Sequence, residues 1–139
     1  MKVKKPNRQK LIKKVSIRKL IKKLDKIYSV YKRSKDNFTC ITCGKKGDKH
    51  NIDLGHYIKR QILSTRWLES NTHAQCKYCN NWGNGEPDIF RRKLIELYGI
   101  DEIERIEQLR FKINKVTSEE LVGLIEHFKT KLKETKDVK

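Results

Sequence analysis

The sequence predicts an α+β fold in which a small metal-stapled core is flanked by a basic N-terminal helix and by C-terminal helices. Three observations predict it. Two C-x-x-C pairs, Cys40/Cys43 and Cys76/Cys79, hold all four cysteines of the 139-residue chain. Short β-type runs bounded by glycine and charged turns lie between and beside them. On both sides of this segment the apolar residues recur at helical spacing. The boundaries read as a basic tail and amphipathic helix over 1–36, a stapled core over 37–85 and a helical region over 86–139.

Each C-x-x-C pair supplies two thiolates from one tight turn, and two pairs close one tetrahedral zinc site. Gly44 follows the first pair, where such a turn needs a positive φ. Two disulfides would need an oxidising compartment, which nothing here suggests. A redox C-x-x-C usually stands alone beside a βαβ pattern. Structural zinc therefore wins, and by itself it says nothing about chemistry.

Charge narrows the partners. The chain carries 34 Lys/Arg against 17 Asp/Glu, a formal +17, and residues 1–36 hold 15 of the cations with only Asp25 and Asp36 opposing them. A clustered basic surface is the footprint expected for nucleic acid, with an anionic membrane surface as the alternative partner. Lysines break every apolar stretch near the start, which excludes a signal-peptide core or a membrane span. The expectation is a soluble intracellular protein.

In order along the chain, Met1 to Lys10 reads as a disordered tail. From about Leu11 to Lys35, Leu20, Ile21, Leu24, Ile27, Tyr28 and Tyr31 give one apolar stripe on a cationic helix. Phe38 to Ile41 and Ile52 to Ile58 read as a hairpin carrying the first cysteine pair. Leu63, Trp67 and Leu68 are packing residues, and the second pair opens a short helix or turn that stops at Gly83-Asn84-Gly85. Pro87 starts a helix that Gly99 ends. Asp101 with Glu104, and Thr117 with Glu120, read as capping boxes for two more helices, which pack on the zinc core or on a partner subunit.

The polar residues of the core carry the chemistry. His56 follows the first cysteine pair, Asn71 precedes the second by five residues, and Asn80 follows the last cysteine directly. That order resembles the zinc-stapled HNH, or ββα-metal, endonucleases. The resemblance implies His56 as general base, Asn71 holding the histidine ring or its loop, and Asn80 lending an amide oxygen to a catalytic Mg²⁺ or Mn²⁺. Many members of that family carry a metal ligand just before the histidine, where this chain has Gly55. The second cation ligand is then either Asp53 or His73. Asp53 and His56 stand three apart and share a cleft only if Gly55 bulges the strand. His73 is open to a cation, a phosphate or a buried hydrogen-bonded role, while His50 and His127 read as exposed.

A narrower resemblance covers Lys22 through Asn81. KKLDKIYSVYKR, CITCGK, DLGHYIKR, TRW and NTHAQCKYCN look like the phage NinG/Rap recombination family. It implies a structure-specific endonuclease on branched DNA, with Holliday junctions and D-loops as substrates, inside the bacterial host. The candidate phosphate-binding residues are Lys13, Lys14, Arg18, Lys22 and Lys23 of the arm, with Lys59 and Arg60 after the histidine. Junction cleavage suits a homodimer. Two other functions fit the same residues: a non-catalytic zinc-stapled DNA- or RNA-binding module, and a sequence-specific HNH nuclease on linear duplex.

Overall fold

The computed structural model describes the backbone of residues 8–137 and the side chains of residues 17–136. Expectations for residues 1–7, and for the side chains of Lys13 and Lys14, lie outside the described residues. The element order is α1 (Arg8–Lys35), β1 (Ile52–His56), β2 (Thr72–Cys76), α2 (Pro87–Tyr98), α3 (Ile100–Leu109) and α4 (Ser118–Asp137), a mixed α and β fold. No described helix is long and apolar enough to cross a membrane. The basic helix begins at Arg8, so the expected tail is helical over its last three residues.

The stripe on α1 buries Leu24, Tyr28 and Tyr31, spaced i, i+4, i+7. It meets the matching stripe Leu121, Ile125 and Phe128 of α4, and Trp67 joins the same cluster. Phe128 is the pivot, with its ring centroid 4.7 Å from Tyr28 and 5.5 Å from Tyr31. Each such side chain taken from water stabilises the fold by about 1.5–3 kcal/mol. Within the chain this corrects the expectation that α4 packs on the zinc core: it covers the basic helix. The helices α2 and α3 bury Phe90, Leu94, Ile103 and Ile106 against Ile58, just past β1.

The sheet has two strands. Ile52 pairs with Cys76, Asp53 with Gln75, Leu54 with Ala74, Gly55 with His73 and His56 with Thr72, antiparallel and without interruption. The expected hairpin partner, Phe38 to Ile41, is not a strand. Asn37 and Phe38 have φ of 52° and 51°, which turns the chain away from an extended course. Thr39 makes one isolated bridge to Lys46, and Ile41 donates its N–H to the Ala74 carbonyl. The true partner, Thr72-His73-Ala74-Gln75-Cys76, is buried on both faces, so the short alternation from His73 to Cys76 marks no exposed side for sequence reading to find.

At the helix ends, Gly99 with φ of 86° separates α2 from α3. The capping box at Asp101 does not form, since Gly99 caps α3 without a side-chain bond. The box at α4 does form: Glu120 N–H donates to Thr117 Oγ1 at 3.1 Å, and Thr117 N–H to Glu120 Oε2 at 3.4 Å.

Candidate functional site

The sulfur cluster is built by two turns of the same kind. In the first, Gly44 N–H bonds back to the Cys40 carbonyl, and Gly44 has φ of 78°. In the second, Cys79 N–H points at Cys76 Sγ at 3.5 Å. The four Sγ atoms lie within 4.8 Å of one another. Cys43 and Cys76 sulfurs are 3.8 Å apart. A disulfide needs about 2.05 Å. Sulfurs at about 2.3 Å from a central zinc form a tetrahedron with edges of about 3.8 Å. The site therefore has the donors and the size for one zinc ion. The electrostatics agree: although burial opposes its ionisation, N–H groups of Cys43, Cys76 and Thr42 bring the Cys40 thiol down to about 7. Burial and the neighbouring sulfurs push Cys79 up. Four adjacent thiolates repel one another unless a dication sits among them.

His56 closes β1 and lines a cavity of about 350 Å³ with Lys22, Asp25, Lys26, Tyr28, Ser29, Leu54 and Arg60. Its Nε2 lies 3.1 Å from the Arg66 carbonyl oxygen. A carbonyl only accepts, so Nε2 carries the proton and the neutral ring keeps its lone pair on Nδ1. Burial, helped by the charges of Arg60 and Arg66, lowers its pKa to about 4. At neutral pH this imidazole is an uncharged base with a fixed tautomer beside three cationic side chains.

Asn71 fixes the segment that supplies that carbonyl. It is fully buried. Its Oδ1 accepts from Ile58 N–H at 2.7 Å, and its Nδ2 donates to the Ile58 and Thr65 carbonyls at 3.1 and 3.0 Å. The side chain reaches no solvent, so it positions the loop and touches nothing bound. The loop is tied on its other side by Asp25 of α1, which accepts from Arg66, Arg60 and Trp67. Burial works to raise the Asp25 pKa, and these three donors more than offset it, leaving the carboxylate below its usual range.

Asp53 and Asn80 come together: Asn80 Nδ2 donates to Asp53 Oδ2 at 3.3 Å, and Lys77 Nζ sits 2.9 Å from Oδ1. One carboxylate and one amide are the donor types a hard cation takes. Asp53 and His56 do not meet through a bulge, because the ladder runs regularly through Gly55 and the alternation sends them to opposite faces. Gly55 serves a different need. A Cβ there would lie 2.3 Å from Gln75 Oε1 and 3.0 Å from Gln75 Cβ, so the neighbouring strand fills its place. His73 is withdrawn as a cation ligand. Its Nδ1 is held by Asp36 at 2.9 Å and its Nε2 by the Tyr98 hydroxyl at 2.8 Å, so neither nitrogen is free.

Comparison with known proteins bears on this arrangement. A family profile described as "Bacteriophage Lambda NinG protein" matches residues 1–138. The chain belongs to the NinG family. Among the curated relatives of this NinG-family chain are "Protein ninG" of Escherichia phage 933W and "Protein ninG" of Enterobacteria phage VT2-Sa. Each is 28% identical over 134 residues, covering 89% of this chain and 66% of the relative, just under two thirds of its length. No solved structure matches the chain.

In this NinG-family chain the basic residues named from sequence separate into groups. Lys22 and Arg60 line the His56 cavity. Lys59 lines another, of about 400 Å³, with Tyr57 and Arg110. Arg18 and Lys23 are exposed on α1. Two further cations of the helix hold backbone: Lys32, wholly buried, donates to the Glu69 carbonyl at 3.1 Å, and Arg33 donates to the Ile52 carbonyl at 3.0 Å. Sequence reasoning missed Lys26 as a cavity residue and Asp25, Asp36 and Arg66 as anchors. The signal was available, because the two acids in so basic an arm are the two that tie it to the core.

Proposed function

We propose that this chain is a metal-dependent DNA endonuclease that hydrolyses phosphodiester bonds in branched recombination intermediates such as Holliday junctions and D-loops. The observation that carries the reading is the His56 cavity, where a neutral imidazole with a fixed tautomer faces Lys22, Lys26 and Arg60. The cations hold a backbone phosphate by charge. His56 Nδ1 takes the proton of a water whose oxygen attacks phosphorus, and the bond to the leaving oxygen breaks. Asn71 and Arg66 keep the ring aimed. The order of His56, Asn71 and Asn80 on β1, the turn before β2 and the turn after it supports an HNH-like core. Asp53 and Asn80 would hold Mg²⁺ or Mn²⁺ on the other face of β1, with the Asn80 amide turned and Lys77 released; such a cation would supply charge neutralisation to phosphate oxygens reaching that face. The test is end-labelled four-way DNA and linear duplex of the same sequence, each with and without Mg²⁺. Nicks confined to the branched substrate with Mg²⁺ support the reading, and nicks at a fixed site in the linear duplex replace it with a sequence-specific nuclease.

One observation favours a second reading. The regular ladder puts the oxygen donors Asp53 and Asn80 on the face of β1 away from His56. A zinc-stapled module that binds DNA or RNA without cutting needs no meeting of base and cation. It binds the same junction and leaves it intact with every divalent ion tried.

A further inference from the structure

The turn that contains Cys79, Tyr78–Trp82, carries two large aromatic side chains that the fold leaves exposed. Trp82 is 85% exposed and Tyr78 is 70% exposed. Their four-residue separation in a helical turn puts them on one side of it, one above the other. The other tryptophan, Trp67, is buried and hydrogen-bonded to Asp25, so the chain has a place for an indole and leaves this one in water. Leaving two large aromatic faces exposed forgoes the stabilisation that burying them would give.

The surroundings say what kind of partner fits. The turn is tied through the sulfur cluster to the first cysteine turn, where Lys45, Lys46 and Lys49 are exposed against one exposed acid, Asp48. Lys77 precedes the turn and is engaged with Asp53, while Glu86 and Asp88 follow it near the start of α2. Exposed aromatic faces on one cysteine turn and exposed lysines on the other, joined by the sulfur cluster, suit a ligand that offers flat π-faces and negative charge together, which is what a nucleic-acid strand offers. In continuous duplex each base already has both faces covered by its neighbours. An aromatic pair of this kind gains a stacking partner only where a base is unstacked, as at a branch point or in a single strand.

We propose that Tyr78 and Trp82 form a stacking platform for unstacked nucleobases. This deepens the branched-DNA reading and rests on it for the choice of nucleic acid, but not for cleavage.

The experiment uses the zinc-loaded full chain and two probes, a single-stranded oligothymidylate and a blunt duplex of equal length, without Mg²⁺. Emission of the wild type minus that of Trp82→Phe isolates Trp82. Quenching of that component by the single strand and not by the duplex is the expected result. Trp82→Ala and Tyr78→Ala should each weaken single-strand binding by roughly ten-fold, the range of one stacked base, with duplex binding unchanged. Trp82→Phe should keep most of the affinity, a rescue that a mere folding defect would not give. Unaltered Trp82 emission at saturating single strand overturns the proposal. So does a self-association, measured by sedimentation, that Trp82→Ala abolishes, because the face then joins two copies of the chain. A protein that shows the quench yet never nicks a junction supports the platform and refutes the nuclease. A nuclease whose Trp82 stays unquenched refutes the platform alone.

Discussion

His56 and Arg66 are joined through the ring of one and the backbone of the other: Nε2 of His56 donates to the Arg66 carbonyl at 3.1 Å. The guanidinium of that same Arg66 is clamped on Asp25, so the ring is aimed by a loop that α1 holds in place. The consequence for pH follows from the depressed value of about 4. The unfolded chain protonates this histidine near 6.5. Between those two values the unfolded state holds more protons, so the contribution of His56 is intact above about 6.5 and is lost as pH falls toward 4. Urea unfolding of wild type and His56→Gln at pH 7 and pH 5 is the check. The wild type should lose more stability than the variant over that interval.

Gly55 gives a second prediction. Gly55→Asp would place an acid directly before His56, and it would collide with Gln75. Overpacking of a buried strand position costs about 1–3 kcal/mol. Gln75 is wholly buried and its Nε2 holds Thr42 and the Gly85 carbonyl, so it has little room to yield. The thermal midpoint should fall, and Gly55→Asp with Gln75→Ala should recover part of the loss.

Zinc removal tests the staple. The small cluster around the sulfurs contains Ile52 and Ala74 beside Cys40, Cys76 and Cys79, with Phe38 the one further apolar residue packed on it among the described residues. So little apolar surface cannot hold the two turns without metal. Chelation should melt the strand pair while the α1–α4 packing outlasts it, read by hydrogen exchange. One zinc per chain in the untreated protein is the expected stoichiometry.

The arm gives a fourth. Deleting residues 1–16 removes seven of the 34 Lys/Arg. If they neutralise DNA phosphates, the slope of log affinity against log salt should become shallower by up to about 6, roughly 0.9 for each phosphate no longer neutralised. An unchanged slope means that those residues face away from DNA.

Much of this architecture was legible because its signals are local. The C-x-x-C pairs, the apolar stripes of α1 and α4 and the Pro87 and Gly99 ends depend on neighbours within one or two turns. The partner of β1 was not, because Thr72 to Cys76 satisfies its polar groups through distant residues: Thr72 through Tyr28, His73 through Asp36 and Tyr98, Gln75 through Thr42. Periodicity carries no trace of such bonds. For the same reason His73 stays open among three roles in the sequence, of which the structure shows the buried hydrogen-bonded one, and Gly55 suggests a bulge although its absent side chain makes way for Gln75.

The most direct measurement is strand cleavage and binding of a labelled four-way DNA by wild type and His56→Ala, side by side, with Mg²⁺. If His56 is the general base, the wild type nicks the junction, and His56→Ala binds it with unchanged affinity while cutting roughly 100-fold more slowly or worse, the scale of a lost general base. Equal nicking by the two proteins, or tight binding by the wild type with no nick under any divalent ion, would contradict it.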